Sequence, residues 1–268
     1  MRVLVTGAAG RLGREVVRAF ADDGPVFGLS RIALNVADRK AVHAAIASCT
    51  PSLVVNCAAW TDVDGCEGDP QRAQRINAAA VGYLREAAEE VGAHLLHVST
   101  DFVFDGKADV PYPEDHPTDP LSVYGAVKLA GEAAAGPSAT VVRTSWLQPA
   151  DAPGMVERLI VALATGGPVK MGHERSACPT FIADLVPVLR YLCEERVAGG
   201  GACNQCRPDQ LVRLRSWGGD GCRPGPGPCG ANLGSGAGWH PAGPTAPLLG
   251  TGQRRAEVPW ERHHPRPS

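Results

Sequence analysis

Up to Gly199 the apolar residues of the chain alternate between two patterns: short unbroken runs, and longer stretches where they recur every three or four positions. The first is the pattern of a strand buried on both faces, the second that of an amphipathic helix. Arg2–Thr6 reads as a first strand, and Arg11–Asp22 as a helix with Leu12, Val16, Val17 and Phe20 on one face. Val26–Leu29, Ser52–Asn56, His94–Val98 and Thr140–Thr144 read as further strands. Lys40–Ser48, the Ala-rich Asp69–Val91 and Val123–Ala135 read as the helices between them. Helix Pro153–Ala164, strand Val169–Gly172 and helix Ala183–Glu195 continue the alternation. Strands and helices in this rhythm predict an α/β protein of the Rossmann type, a doubly wound parallel sheet with helices on both faces.

After Gly199 the rhythm stops. Residues 199–268 hold 15 Gly, 10 Pro and no Lys, and the run Arg223-Pro-Gly-Pro-Gly-Pro228 is excluded from helix and central strand. Two readings account for this: a disordered, weakly basic tail, or GC-rich DNA read out of frame, which is the favoured one. Either way the C-terminal lobe is expected to be truncated or disordered. The expected division is a nucleotide-binding domain over 1–150, a partial substrate-binding lobe over 151–198, and the tail from 199 to 268. Cys203 and Cys206 have zinc-like spacing, but Cys222 and Cys229 do not, so no zinc is expected.

Composition narrows the setting. A chain of 268 residues with 44% hydrophobic content can bury a sizeable core. The net charge of −2 gives no reason to expect nucleic acid or a membrane surface as partner. The apolar start, Met1–Val5, is too short for a signal peptide, and no stretch approaches the roughly 20 apolar residues of a membrane span. The cytoplasm is the expected compartment, with the nine cysteines reduced.

The candidate chemistry begins at the end of the first strand. Gly7-x-x-Gly10-x-x-Gly13 leads from strand into helix, with Arg11 and Leu12 inside it. Glycines let the backbone turn sharply and approach a pyrophosphate, and the helix N-terminus offers unpaired N–H groups and a positive dipole end. Where many such proteins carry an acid after the second strand, this chain has Ser30-Arg31. A hydroxyl and a guanidinium suit a 2′-phosphate better than a free hydroxyl, which favours NADPH over NADH. Ser99-Thr100-Asp101 follows the fourth strand, at the carboxyl end where open α/β sheets bind ligands. Tyr124 and Lys128 share a helix face, so that the ammonium is expected to lower the tyrosine pKa and ready it for proton transfer.

These motifs, with Asn56-Cys-Ala-Ala59, resemble those of the extended short-chain dehydrogenases/reductases. Thr61-Asp-Val-Asp64, Ser99-Thr-Asp-Phe-Val-Phe-Asp-Gly106, Tyr124–Glu132, Arg143-Thr-Ser-Trp146 and Cys178-Pro-Thr180 resemble the dTDP-4-dehydrorhamnose reductase family in particular. The resemblance runs from Met1 to about Gly200. It implies reduction of the 4-keto group of a nucleoside-diphosphate 6-deoxy sugar by NADPH or NADH. By the same resemblance Thr100 would bond the sugar carbonyl, Tyr124 supply the proton, and Lys128 bind the nicotinamide ribose. Gly10, Arg11 and Leu12 would face the pyrophosphate, and Asn35 and Val36 the adenine. Ala59, Trp60 and Thr61 would line the cofactor, and Asp101 and Trp146 the sugar. Members carry a magnesium ion at a homodimer contact, where Glu15 matches one acidic position, but its other ligands find no match and the metal is not claimed.

Other groups have plainer readings. Asp62, Asp64, Glu67 and Asp69 read as acids at helix N-termini. His94, His97, His116 and His173 read as structural or exposed, and Asn77 as packing against the active-site strand. Two alternatives to the reductase stay open: a nucleotide-sugar epimerase or dehydratase with tightly held NAD, and a cofactor-binding regulatory subunit without turnover.

Overall fold

The computed structural model describes residues 1–108, 111–149 and 178–202, with residues 154, 160–161, 164–165 and 213–214. All of them fall within one compact unit, Met1–Asn232. Strands β1 (Val3–Thr6), β2 (Val26–Leu29), β3 (Leu53–Asn56), β4 (His94–Thr100), β5 (Thr140–Thr144) and β8 (Gly199–Ala202) form a parallel sheet in the order β2-β1-β3-β4-β5-β8. A short antiparallel strand, β9 (Arg213–Leu214), closes its far edge. Two more short strands, β6 (Leu147–Gln148) and β7 (Thr180–Phe181), pair in parallel apart from this sheet.

Successive side chains of a strand point to opposite faces, and the apolar run of each strand serves both. Val3, Val5, Val55, Leu96 and Val142 pack against Leu12, Val16 and Phe20 of α1 (Arg11–Ala19) and against Ile182, Leu185 and Leu189 of α7 (Ile182–Glu194). Leu4, Val54, Leu95 and Val141 face the other way. They meet Val42 and Ile46 of α2 (Arg39–Cys49), Val81 and Leu84 of α5 (Ala80–Glu90), and Ala135 of α6 (Val123–Ala135). Each such side chain fully buried contributes about 1.5–3 kcal/mol, so the two helical layers are held mainly by this burial. The arrangement is the doubly wound sheet that the periodicity predicts.

Strand order reverses between β1 and β3, so the crevice at their carboxyl ends is the topological switch point where such sheets bind ligands. The acids read as helix caps take that place. Asp62 accepts from Gly65 N at 3.0 Å at the start of α3 (Val63–Gly68), and Asp69 from Arg72 N at 2.9 Å at the start of α4 (Pro70–Gln74). Glu67 reaches across to accept from Val123 N, 2.8 Å away, at the start of α6.

Several boundaries differ from expectation. α3 lies where no helix is expected, and the long helix is α4 and α5 joined through a π turn, Arg75–Ala79. β4 runs on through Ser99 and Thr100, because its pairing with β5 continues to Thr100 opposite Thr144. The rhythm does not stop at Gly199: Gly199–Ala202 pairs with Thr140–Arg143 as a sheet strand, held by backbone hydrogen bonds that need no side-chain pattern. Cys178 is disulfide-bonded, against the expectation of reduced cysteines throughout. The expected strand Val169–Gly172, His173, the four tail cysteines and the Arg223–Pro228 run lie outside the described residues, as does most of Pro153–Ala164.

Candidate active site

Gly7 leaves β1 with φ +67°, a conformation that side chains resist. A Cβ there would sit 2.8 Å from Ala58 N and from the Cys57 carbonyl, so the turn is pressed against the exit of β3. A Cβ on Gly13 would run into the Gly7 carbonyl. Gly10 donates to that same carbonyl at 2.8 Å and is the N-cap of α1, without a capping side chain. The first-turn amides of Arg11, Leu12 and Gly13 thus carry the positive end of α1 to the crevice. A cradle of close-packed backbone without side chains fits a pyrophosphate.

Beside the cradle, Ala8, Ala9, Arg14, Val17, Arg18, Gly28 and Ser30 line a groove of roughly 420 Å³. Ser30 therefore stands in it, while Arg31 is exposed and is not among its lining residues. Arg14 and Arg18, four apart on α1, supply the guanidinium groups there; Arg18 also pairs with Glu15 at 2.6 Å. Sequence reasoning overlooked both, although their spacing on a helix opening at a nucleotide turn was visible. Further along, Asn35 Oδ1 accepts from Ala37 N at 3.2 Å and shapes the loop, and Val36 packs against the α2–α5 core.

The segment Ala59–Thr61 leaves β3 along the crevice. Asn77, buried in the π turn, holds it from both sides: Oδ1 accepts from Trp60 N at 2.8 Å and Nδ2 donates to Trp60 O at 2.9 Å. Asn77 is thus a clamp on this loop, a more definite role than packing. The Trp60 ring stacks under the Arg72 guanidinium, 4.2 Å from its centroid, and borders the cluster of Cys66, Val127 and Tyr124.

Thr100 at the end of β4 meets Tyr124 on α6. Tyr124 is 8% exposed, with the Thr100 hydroxyl beside its phenol. Burial pushes the phenol up to about 12, more than Thr100 lowers it, and Asp101 and Cys66 push the same way. This corrects the expectation that Lys128 lowers it. Lys128 is itself buried, and its Nζ turns to β4, donating to Val98 O at 2.7 Å and lying 3.2 Å from His97 Nε2. Burial brings Lys128 down to about 8. Tyr124 is accordingly a protonated acid at neutral pH, on the same helix face as a lysine that titrates nearby. The single Thr100 hydroxyl proton is donated to Asp101 Oδ1 at 3.1 Å.

The runs Tyr124–Glu132 and Arg143–Trp146 meet behind this pair. Glu132, two turns past Tyr124, binds Arg143 of β5 through Nε (2.9 Å) and Nη2 (2.6 Å), both side chains being 8% exposed, and Ser99 of β4 donates to the same carboxylate. This pins α6 to β4 and β5. Past β5, Trp146 takes φ +43°, with its carbonyl accepting from Thr180 N at 3.2 Å. A left-handed non-glycine residue stores about 1–3 kcal/mol, which the surrounding bonds hold in place.

The order of the strands, the glycine cradle after β1, and Tyr124 and Lys128 on α6 against β4 fit the extended short-chain dehydrogenase/reductase class. Within that class the family model of the RmlD substrate binding domain matches residues 1–203, and the chain belongs to this family. It is 42% identical to a dTDP-4-dehydrorhamnose reductase of Streptomyces griseus, over 74% of this chain and 67% of that protein. It is 45% identical to a probable dTDP-4,6-dihydroxy-2-methyloxan-3-one 4-ketoreductase of Streptomyces antibioticus, over 69% of this chain and 64% of the relative. The chain thus spans about two thirds of the length of these relatives. A crystal structure of dTDP-4-dehydrorhamnose reductase from Bacillus anthracis in complex with NADP superposes with a TM-score of 0.68 at 28% identity, covering 76% of this chain and 74% of the other.

Proposed function

We propose that the chain reduces the 4-keto group of a nucleoside-diphosphate 6-deoxy sugar, using NADPH in preference to NADH. The observation that carries this reading is that Thr100 at the carboxyl end of β4 lies beside buried Tyr124 of α6, with Lys128 of the same helix held at Val98 O of β4, two strands from the Gly7–Gly13 cradle. The names of the relatives supply the substrate class, and the NADP complex supplies the cofactor class. When bound, the reduced nicotinamide supplies a hydride to the carbonyl carbon.

The residues of this chain do the rest. The cradle and the α1 amides hold the pyrophosphate, and Ser30, Arg14 and Arg18 hold the ribose phosphate in their groove. Ala59, Trp60 and Thr61 line the nucleotide, with Asn77 keeping the loop in place. Thr100 aligns the carbonyl oxygen, and Tyr124, protonated until negative charge develops on that oxygen, donates its proton. Lys128 holds the nicotinamide ribose, and Trp146 and Asp101 border the sugar. The proposed setting is the cytoplasm, and the proposed assembly a homodimer without nucleic acid or membrane as partner.

For the segment past Ala202 we propose out-of-frame reading, supported by the change of composition there. DNA sequence across codons 195 to 210, with the intact mass, tests it; a continuous frame would overturn it. The function is tested by mixing the protein with dTDP-4-keto-6-deoxyglucose, a 3,5-epimerase and NADPH, and following the loss of cofactor absorbance. Cofactor binding without oxidation would favour the regulatory-subunit alternative.

A further inference from the structure

Three buried polar side chains occupy one level across three neighbouring strands of the sheet. Thr6 on β1 is the register partner of Asn56 on β3, and Asn56 that of His97 on β4. Their exposures are 0%, 2% and 0%, and Lys128, 1% exposed, ends the row beside His97. Polar groups this deep persist only when hydrogen-bonded, so the direction of each bond matters.

One backbone donor sets every direction. Ala58 N–H donates to Asn56 Oδ1 at 3.1 Å, and the Thr6 hydroxyl donates to the same oxygen at 2.6 Å. Asn56 Nδ2 is then the atom facing His97 Nδ1, 2.9 Å away, and an amide nitrogen only donates. His97 Nδ1 therefore accepts, and a neutral imidazole with Nδ1 bare carries its proton on Nε2. That N–H points at Lys128 Nζ.

We propose that Thr6, Asn56 and His97 form a hydrogen-bond chain that fixes the Nε2–H tautomer of His97 and makes His97 the positioning residue for Lys128. It presents an N–H to Nζ and so favours the neutral amine over the ammonium. The amine form uses every atom: it accepts from His97, donates to Val98 O, and keeps one N–H for a ribose hydroxyl. An ammonium would set a donor against a donor. The other titratable groups acting on Lys128 are Glu132 on α6 and Cys57 after β3. Glu132 and Cys57 favour the ammonium, whereas burial disfavours it and prevails. Burial first, and Lys128 second, hold His97 well below its usual range, which keeps it neutral.

The inference takes from the proposed function only that Lys128 meets the cofactor, and its test does not require turnover. In the full chain labelled with ¹⁵N-histidine, ring nitrogen shifts are followed from about pH 6 to about pH 9, on either side of the ordinary histidine value. The His97 signals are assigned by their loss in His97→Gln. The expected result is protonated Nε2 and bare Nδ1 throughout; an Nδ1–H tautomer, or titration of His97 within this range, overturns the proposal. Asn56→Asp places an acceptor against Nδ1, reverses the tautomer and turns Nε2 into an acceptor for the ammonium. The titration midpoint of Lys128, read from its side-chain ¹⁵N shift in lysine-labelled protein and assigned by its loss in Lys128→Met, is then expected to rise by about one pH unit, a tenfold change in proton affinity. A reversed tautomer with an unmoved midpoint would overturn the coupling to Lys128. If Asn56→Asp does not fold, the wild-type shifts decide. The expected tautomer in a protein that oxidises no NADPH would leave this inference standing and the reductase reading refuted.

Discussion

Replacing Glu132 with Gln removes a charge while almost preserving shape, so its effect isolates the electrostatics that hold α6 in place. In the native protein the carboxylate accepts from Arg143 through both oxygens and from Ser99, with both members of the ion pair 8% exposed. Gln offers one acceptor oxygen, and its NH₂ group faces donors. Arg143 keeps its bond to Glu114 O (3.2 Å) and its place 5.1 Å from the Phe104 ring centroid, so part of its stabilisation survives. Breaking a buried pair from one side typically costs about 3–5 kcal/mol, and the retained contacts put this case near the lower end, about 3 kcal/mol. Urea denaturation should show a lower midpoint with an unchanged slope, and the melting temperature should fall by roughly 6–12 °C. Glu132→Leu combined with Arg143→Met should cost less than the sum of the single changes, because neither charge is then stranded. A loss for Glu132→Gln below about 1 kcal/mol, the range of exposed pairs, would refute the reading that this bridge is desolvated.

Gly7→Ala meets both a left-handed backbone and a Cβ contact of 2.8 Å with Ala58 N, so a loss of about 2–4 kcal/mol is expected in chemical denaturation, together with loss of NADPH binding. An unchanged Kd would show that the cradle is not the nucleotide site. Arg14→Met should raise the Kd for NADPH about tenfold, the worth of a charge-assisted hydrogen bond, and leave that for NADH unchanged; equal effects on both would remove the groove from the 2′-phosphate. Lys128 titrates at about 8 in the fold against an ordinary 10.5, so the unfolded chain binds more protons between these values and stability rises with pH there. The rise should total about 3 kcal/mol and vanish in Lys128→Met; an identical slope in the variant would assign it elsewhere.

Local patterns revealed what is local. The run Val26–Leu29, the helix Val123–Ala135 and the strand Thr140–Thr144 have the boundaries that their periodicity predicts. The glycine turn was equally plain, because its requirement is set within seven residues and two flanking elements. α3 was hidden because Val63–Gly68 is short, acidic and glycine-containing, and is held by the Asp62 cap and the burial of Cys66. β8 was hidden because Gly199-Gly-Gly-Ala carries no side-chain signal and exists through its pairing with β5. His97 was read as merely structural because its partners come from two other elements, Asn56 of β3 by parallel register and Lys128 of α6 by packing on β4. The Tyr124 pKa went the wrong way for the same reason. Spacing placed Tyr124 and Lys128 on one face, but the depth of burial and the hold of Val98 O on Lys128 belong to tertiary structure.

The central claim is hydride delivery to a sugar carbonyl, and isotope transfer tests it most directly. The protein is incubated with dTDP-4-keto-6-deoxyglucose, a 3,5-epimerase and NADPH deuterated at the transferable position of the nicotinamide, and the sugar nucleotide is analysed by mass spectrometry. The account predicts one deuterium at C4 of the product, with transfer lost in Tyr124→Phe. Deuterium retained in the cofactor while the protein binds it tightly would contradict the account.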